Sequence, residues 1–144
     1  MNKSNLHRRG FSLVELMVVC TVMVILVSMA TPSFRRSMEQ SRADMAGANL
    51  RAIWTAQRVY WLEYRTYTND LSVLESLDLL DPTIGAATTR YVYAISAADD
   101  DTFLATATRS GSDLWTGQFT IDEDGTVSGV VQALGKPDIT PGFL

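Results

Sequence analysis

Apolar residues follow three successive patterns along this chain of 144 residues. From Phe11 to Ala30 they are nearly continuous, and Glu15 is the only charge in twenty positions. A helix rising ~1.5 Å per residue would cover ~30 Å over that run, about the thickness of a bilayer's hydrocarbon core. From Ser33 to about Tyr64 the spacing becomes helical. Met38, Met45, Ala52, Ala56 and Val59 form one stripe, widened by Ile53, Tyr60 and Tyr64, while Leu50, Trp54 and Trp61 form another, displaced around the axis. A helix on the surface of a small domain needs one apolar stripe. Two stripes imply burial on two sides, one against the chain's own domain and one against neighbouring copies. The alternative is that the tryptophans pack beneath the domain's own loops. From Arg90 onward the period drops to two, the spacing of half-buried strands.

Punctuation residues divide these patterns. Thr31-Pro32 interrupts the apolar run, since proline removes a helical hydrogen bond and clashes with the preceding turn. Helix-forming sequence resumes at once, which predicts one long helix from Phe11 to Tyr64, kinked or loosened near Pro32. Residues 65–89 read as a connection. Asn69-Asp70 there is a turn or helix cap, Ser72-Val73-Leu74-Glu75 fits a capping box opening a short helix near 72–80, and Asp81-Pro82 ends it. Four strands follow, at Arg90–Ala97, Thr102–Arg109, Trp115–Asp122 and Thr126–Val131. The turns joining the first two and the last two are Asp99-Asp100-Asp101 and Asp122-Glu123-Asp124-Gly125. The expected fold class is α+β: a long N-terminal, partly transmembrane helix packed on a small four-stranded antiparallel sheet. The segments are a basic leader (1–10), a membrane-length half of the helix (11–32), an amphipathic half (33–64), the connection (65–89), the sheet (90–131) and an irregular tail (132–144).

Charge separates along this plan. The leader carries Lys3, Arg8 and Arg9 without an acid, a bias that favours a cytoplasmic N-terminus. Residues 31–64 carry five arginines against three acids, and residues 65–144 carry four cations against twelve acids. An acidic second half is a poor electrostatic partner for nucleic acid. His7 is the single histidine and lies in the leader; Cys20 is the single cysteine and lies within the apolar run. With the leader removed, nucleophile–histidine pairs and the usual zinc sites are excluded, as is an intramolecular disulfide. The chain therefore reads as non-enzymatic and free of a resident cofactor. Weak calcium candidates are Asp99 and Asp101 in one turn and Asp122 and Asp124 in the other, because clustered oxygens beside a sharp turn suit that ion. They do not follow the twelve-residue calcium-loop template.

Glu15 is the costly residue. An acid within a membrane-length run opposes insertion by about 2.5–3.5 kcal/mol near the centre, so it calls for a partner. Ser12-Leu13-Val14-Glu15 is itself a capping box, which accounts for the spacing. A cut between Gly10 and Phe11 would remove the basic leader, keep the apolar helix and create a free amine on Phe11 within reach of Glu15 or of a neighbour's Glu15. A secretory signal would place its cleavage site after the apolar core, where Met29-Ala30-Thr31-Pro32 is a poor match.

Gly10-Phe11-Ser12-Leu13-Val14-Glu15-Leu16, with its basic leader, apolar run and Pro32 at the twenty-second position after the cut, resembles the prepilin processing motif of type IV pilins and type II secretion pseudopilins. Arg65-Thr66-Tyr67-Thr68-Asn69-Asp70-Leu71 and Phe119-Thr120-Ile121-Asp122-Glu123-Asp124-Gly125-Thr126 resemble the minor, E-type group of type IV pilins. The resemblance implies that a prepilin peptidase cuts between Gly10 and Phe11 and N-methylates Phe11. It implies storage in the inner membrane as a single-pass subunit with the head outside, then addition to a helical filament of identical or related subunits by an assembly ATPase and its platform protein. Glu15 would there neutralise a neighbour's N-terminus, and Pro32 would mark the helix break. The filament would be periplasmic or at the cell surface. A type II secretion pseudopilin, or a tip-located minor pilin that binds a ligand or primes assembly, are the alternatives. The chain departs from many relatives in lacking the C-terminal disulfide of pilins. The glycine-tyrosine-proline signature that often follows the helix in major pseudopilins is absent too.

Overall fold

The computed structural model describes residues 11–86 and 90–142, and within α1 the side chains of residues 29–33 are left aside. The leader, including Gly10, thus lies outside the described residues. Two compact units divide the chain, Met1–Ser37 and Met38–Leu144. Helix α1, Leu13–Tyr64, supplies the described helix of the first unit and the long helix of the second. Its backbone is helical through Pro32, in keeping with one long helix.

In the second unit α1 is followed by α2 (Leu71–Ser76), α3 (Pro82–Gly85) and strands β1 (Tyr91–Ala98), β2 (Phe103–Arg109), β3 (Thr116–Asp122) and β4 (Val127–Gln132). The strands form one antiparallel meander in the order β1-β2-β3-β4. The result is an α+β fold, a long N-terminal helix followed by a four-stranded antiparallel sheet, as the pattern of periods predicts. Both hairpin turns come where they were expected. Asp99 organises the first, its carboxylate accepting from the amides of Asp101 and Thr102 and from the Thr102 hydroxyl. The amide of Gly125 closes the second on the Asp122 carbonyl, with Gly125 at φ 80, a conformation that favours glycine.

The core lies between α1 and one face of the sheet. From α1 it takes Ala43, Ala46, Leu50, Ile53 and Ala56, and from the strands Tyr91, Tyr93, Phe103, Ala105, Ala107, Phe119, Ile121, Val127 and Val131. Adding the buried Glu39 and Gln57, the inward positions of α1 run 39, 43, 46, 50, 53 and 57, the spacing of one helical face. This corrects the first expected stripe. Met38, Met45, Val59 and Tyr64 are exposed, and of that stripe only Ala56 and Ile53 are fully buried. The reason is shape. Ala43, Ala46 and Ala56 of α1 share one buried cluster with Ala105 and Ala107 of β2, where the longer methionine side chains would need more room, and hydropathy alone does not weigh that.

The tryptophans also resolve. The indole N–H of Trp54 donates to the Glu123 carbonyl at 2.8 Å, and that of Trp61 donates to the Asp100 carbonyl at 2.8 Å. Each therefore packs beneath one hairpin turn of its own domain, so this stripe does not require a neighbouring copy.

Three local readings change. Asp70, rather than Ser72, caps α2, its carboxylate accepting from the Ser72 amide. The helix then stops at Ser76, before 80. Asp78 takes a left-handed φ of 55, with Asp78 N–H bonded to Glu75 O and Leu79 N–H to Leu74 O, the paired bonds of a Schellman ending. Asp81-Pro82 opens α3 instead of ending α2, Asp81 serving as N-cap and Pro82 as the first helical residue. The tail is irregular but anchored. Ile139 exchanges two backbone hydrogen bonds with Val131, Gln40 Nε2 donates to the Thr140 carbonyl at 2.6 Å, and the Gly142 amide donates to Asp44 Oδ1 at 2.8 Å.

Candidate functional site

The residues with the clearest chemical signature sit at the start of α1. Phe11 and Ser12 precede the helix, and the Ser12 carbonyl accepts from the Leu16 amide, the first helical bond. Glu15 falls in the first turn, where a carboxylate also suits the positive end of the helix dipole. It is exposed, and no ion pair among the described residues includes it. The large apolar side chains from Phe11 to Val27 are all 43–74% exposed, on every side of the helix. A helix that is apolar all round belongs in a protein core or in lipid.

The few polar groups of this stretch suit an apolar surrounding. Thr21 Oγ1 donates to the Met17 carbonyl at 2.8 Å and Ser28 Oγ to the Ile25 carbonyl at 2.7 Å, so both hydroxyls are satisfied within the helix. Cys20 is exposed among the apolar side chains. Glu15 is then the one side chain between Phe11 and Ser28 that carries a charge. Among the described residues no helix is long and apolar enough to cross a membrane. The run read from the sequence continues through Met29 and Ala30, whose side chains are not described.

A different set of charges is buried in the second unit. The Arg109 guanidinium, at the end of β2, grips Glu39 with two nitrogens, Nε on Oε1 and Nη2 on Oε2 at 3.1 Å. Arg42 Nη1 adds a third bond to Oε2 at 3.0 Å. Both partners of the Glu39–Arg109 pair are 2% exposed. Arg109 also donates Nη1 to the carbonyls of Arg90 and Ser110 and lies 5.7 Å from the Tyr91 ring centroid. Burial pushes the Glu39 carboxyl upward, but the hydrogen bonds and charges of Arg109 and Arg42 outweigh it and hold the group below its ordinary value. Burial, with the Glu39 charge beside it, pushes the Tyr91 phenol well up. The sequence reading missed this cluster; an acid and an arginine at positions of helix and strand periodicity were the available signal. It ties the helix to the end of β2 and to the start of β1 and is structural in geometry.

The calcium candidates do not converge. Among the described residues no group of three or more histidine, cysteine, aspartate or glutamate side chains could hold a metal ion. Asp99 spends its carboxylate on its own turn, and the amides of Thr102 and Asp101 hold its pKa below the usual range. Asp122 likewise accepts from the Thr126 amide at 3.3 Å.

Comparison with known proteins places the N-terminal segment. Residues 5–31 match the family described as the prokaryotic N-terminal methylation motif. This is the stretch that holds Phe11, Glu15 and the apolar run. A relative, the type IV major pilin protein PilA of Myxococcus xanthus, is 33% identical over 104 residues, which cover 70% of this chain and 43% of the relative. The chain is thus similar to type IV pilins, through the methylation motif at its N-terminus and through this relative. A second relative, the type IV wide pilus major component PilA4 of Thermus thermophilus, is 23% identical over 109 residues, 76% of this chain and 79% of the relative. The match to the Myxococcus pilin thus spans less than half of that protein. Both relatives are named as major components, whereas residues 65–71 and 119–126 had resembled the minor, E-type group. The long-helix-then-sheet order agrees with a pilin fold.

Proposed function

We propose that this chain is the structural subunit of a type IV pilus-like filament. One observation carries the reading: the methylation motif over residues 5–31 coincides with a helix that is apolar on all sides and carries a single acid, Glu15. In this reading a prepilin peptidase cuts between Gly10 and Phe11 and methylates the Phe11 amine. The apolar half of α1 holds the subunit in the inner membrane, with Lys3, Arg8 and Arg9 keeping the leader in the cytoplasm. An assembly ATPase and its platform protein then move the subunit into a helical filament with like subunits, where apolar surfaces of neighbouring helices cover one another. Pro32 marks the place where the helix yields.

Glu15 supplies the register. A carboxylate buried without a counter-charge is strongly disfavoured, so an incoming helix is held where its Phe11 amine meets the Glu15 of a neighbour. The chain's own work is positional, with no reaction catalysed by the head. The relatives' names favour a pilus over a secretion pseudopilin, since both are pilus components.

The test is Glu15→Val in the native host, followed by immunoblotting of membranes and electron microscopy of sheared surface material with an antibody against the head. Membrane levels should match wild type, and filaments should be absent or sharply reduced. Wild-type filament numbers from the variant would reduce Glu15 to a helix cap.

A further inference from the structure

A groove of about 530 Å³ opens on the second unit between the β2–β3 connection and the turn that follows β4. Asp113 and Leu114 line it from the connection, and Leu134 and Asp138 line it from the turn and tail. Leu114 is 44% exposed and Leu134 98%, so the groove presents apolar surface to solvent. The turn that carries Leu134 is closed by the Lys136 amide on the Ala133 carbonyl at 3.0 Å. Both aspartates are exposed. Asp138 Oδ2 accepts from Gln132 Nε2 at 3.1 Å, and no ion pair among the described residues includes either carboxylate. No cation lines the groove. Lys136 rests its ammonium over the Trp115 ring instead, 5.6 Å from the centroid.

This chemistry narrows the occupant. An acidic partner meets Asp113 and Asp138 as like charges. A purely apolar one would desolvate two carboxylates without a counter-charge. An apolar side chain with a cation beside it meets neither penalty. Among the described residues, three large exposed apolar side chains stand next to a cation in sequence: Phe34 beside Arg35, Val59 beside Arg58, and Tyr64 beside Arg65. Arg58 already lies over the Trp54 and Trp61 rings and donates to the Tyr67 hydroxyl. Arg65 lies 4.9 Å from the Trp61 centroid. Phe34, by contrast, is 67% exposed, and Arg35 and Arg36 are exposed and in no ion pair among the described residues.

We propose that this groove receives Phe34 and Arg35 of a second copy of the chain. Two different surfaces meet, so the contact can repeat from copy to copy without closing, as a helical filament requires. The inference rests on the filament reading and names one contact within it. The test uses the native host, with sheared filaments counted by electron microscopy and membrane levels read by immunoblot. Arg35→Lys places an amine where a zero-length carbodiimide can join it to a touching carboxylate. Treated filaments of that variant should give a ladder of covalent dimers, trimers and higher species that wild-type filaments do not give. Adding Asp113→Asn and Asp138→Asn should abolish the ladder. Asp113→Lys with Asp138→Lys should cut filament numbers roughly tenfold or more, with membrane level and near-UV circular dichroism unchanged. Arg35→Glu with Arg36→Glu in that same chain should restore them to within about twofold of wild type. Normal filaments without a ladder would overturn this contact alone and leave the filament reading standing. A ladder that survives loss of both aspartates, or a charge reversal that is not rescued, would overturn it as well. So would a fall in membrane level on Arg35→Glu with Arg36→Glu alone, which would assign the arginines to lipid headgroups. A wild-type chain that forms no filaments would overturn both readings.

Discussion

Removal of Glu39 is the most discriminating perturbation of the head. Glu39→Ala leaves the Arg109 guanidinium inside the protein, where its side chain is 2% exposed. Two of its bonds survive, those to the Arg90 and Ser110 carbonyls, but its counter-charge does not. Breaking a buried pair from one side costs about 3–5 kcal/mol. Against a domain stability of roughly 5–15 kcal/mol, that is a third or more of the total in most of the range. For a domain of this size the unfolding temperature should fall by on the order of 15 °C or more.

Replacing both partners should cost far less. Glu39→Met with Arg109→Met removes the stranded charge, and such swaps are often near neutral. The pair should therefore show strong positive coupling in a double-mutant cycle. Near-UV circular dichroism of the full chain in micelles is the assay, because the tryptophans under the hairpin turns report packing. The pH dependence has a definite sign. The folded carboxyl lies below its ordinary value. Its contribution is thus complete above the unfolded carboxylate pKa and is lost as pH falls through the folded one. Glu39→Gln should flatten the acid limb of the stability curve. A loss below about 1 kcal/mol for Glu39→Ala, the range of ordinary surface changes, would refute the reasoning. So would a double variant as unstable as the sum of the singles.

Other outcomes are equally checkable. Gly10→Ala should leave a precursor that keeps its leader, seen as a larger band on immunoblots; a mature-sized product would refute the cleavage junction. Gln57→Leu keeps a side chain of similar size but strands the Thr68 amide and carbonyl that Gln57 now satisfies. Urea unfolding should show a loss of about 1–3 kcal/mol for each stranded group. Gly129→Ala should destabilise the β3–β4 pairing by about 1–3 kcal/mol, since φ there is +98 and a Cβ would collide with the Gln118 carbonyl oxygen. Unchanged stability in that variant would mean that the strand relaxes freely.

Much of this molecule is legible locally. The strand boundaries of the meander follow from alternation and from Asp- and Gly-rich turns, both properties of adjacent residues. Glu15 stands out because a charge in a membrane-length run is rare and costly. The α2–α3 connection was half legible. Its cap residues were visible, but which of Asp70 and Ser72 would cap, and whether Asp81-Pro82 would end one helix or begin the next, depended on the left-handed turn at Asp78.

What the sequence by itself determined is the order of elements and the apolar run with its one acid. Tertiary structure decided which face of α1 is buried, where the tryptophans point, that Glu39 meets Arg109, and that the tail is tied to Gln40 and Asp44. The physical reason is range. Periodicity and turn chemistry are set by neighbours along the chain. The choice between two candidate helix faces depends on volume and hydrogen-bond partners brought from strands 70 residues away. The expected methionine stripe lies exposed, and the face that packs on the sheet carries Ala43, Ala46, Leu50, Ile53 and Ala56.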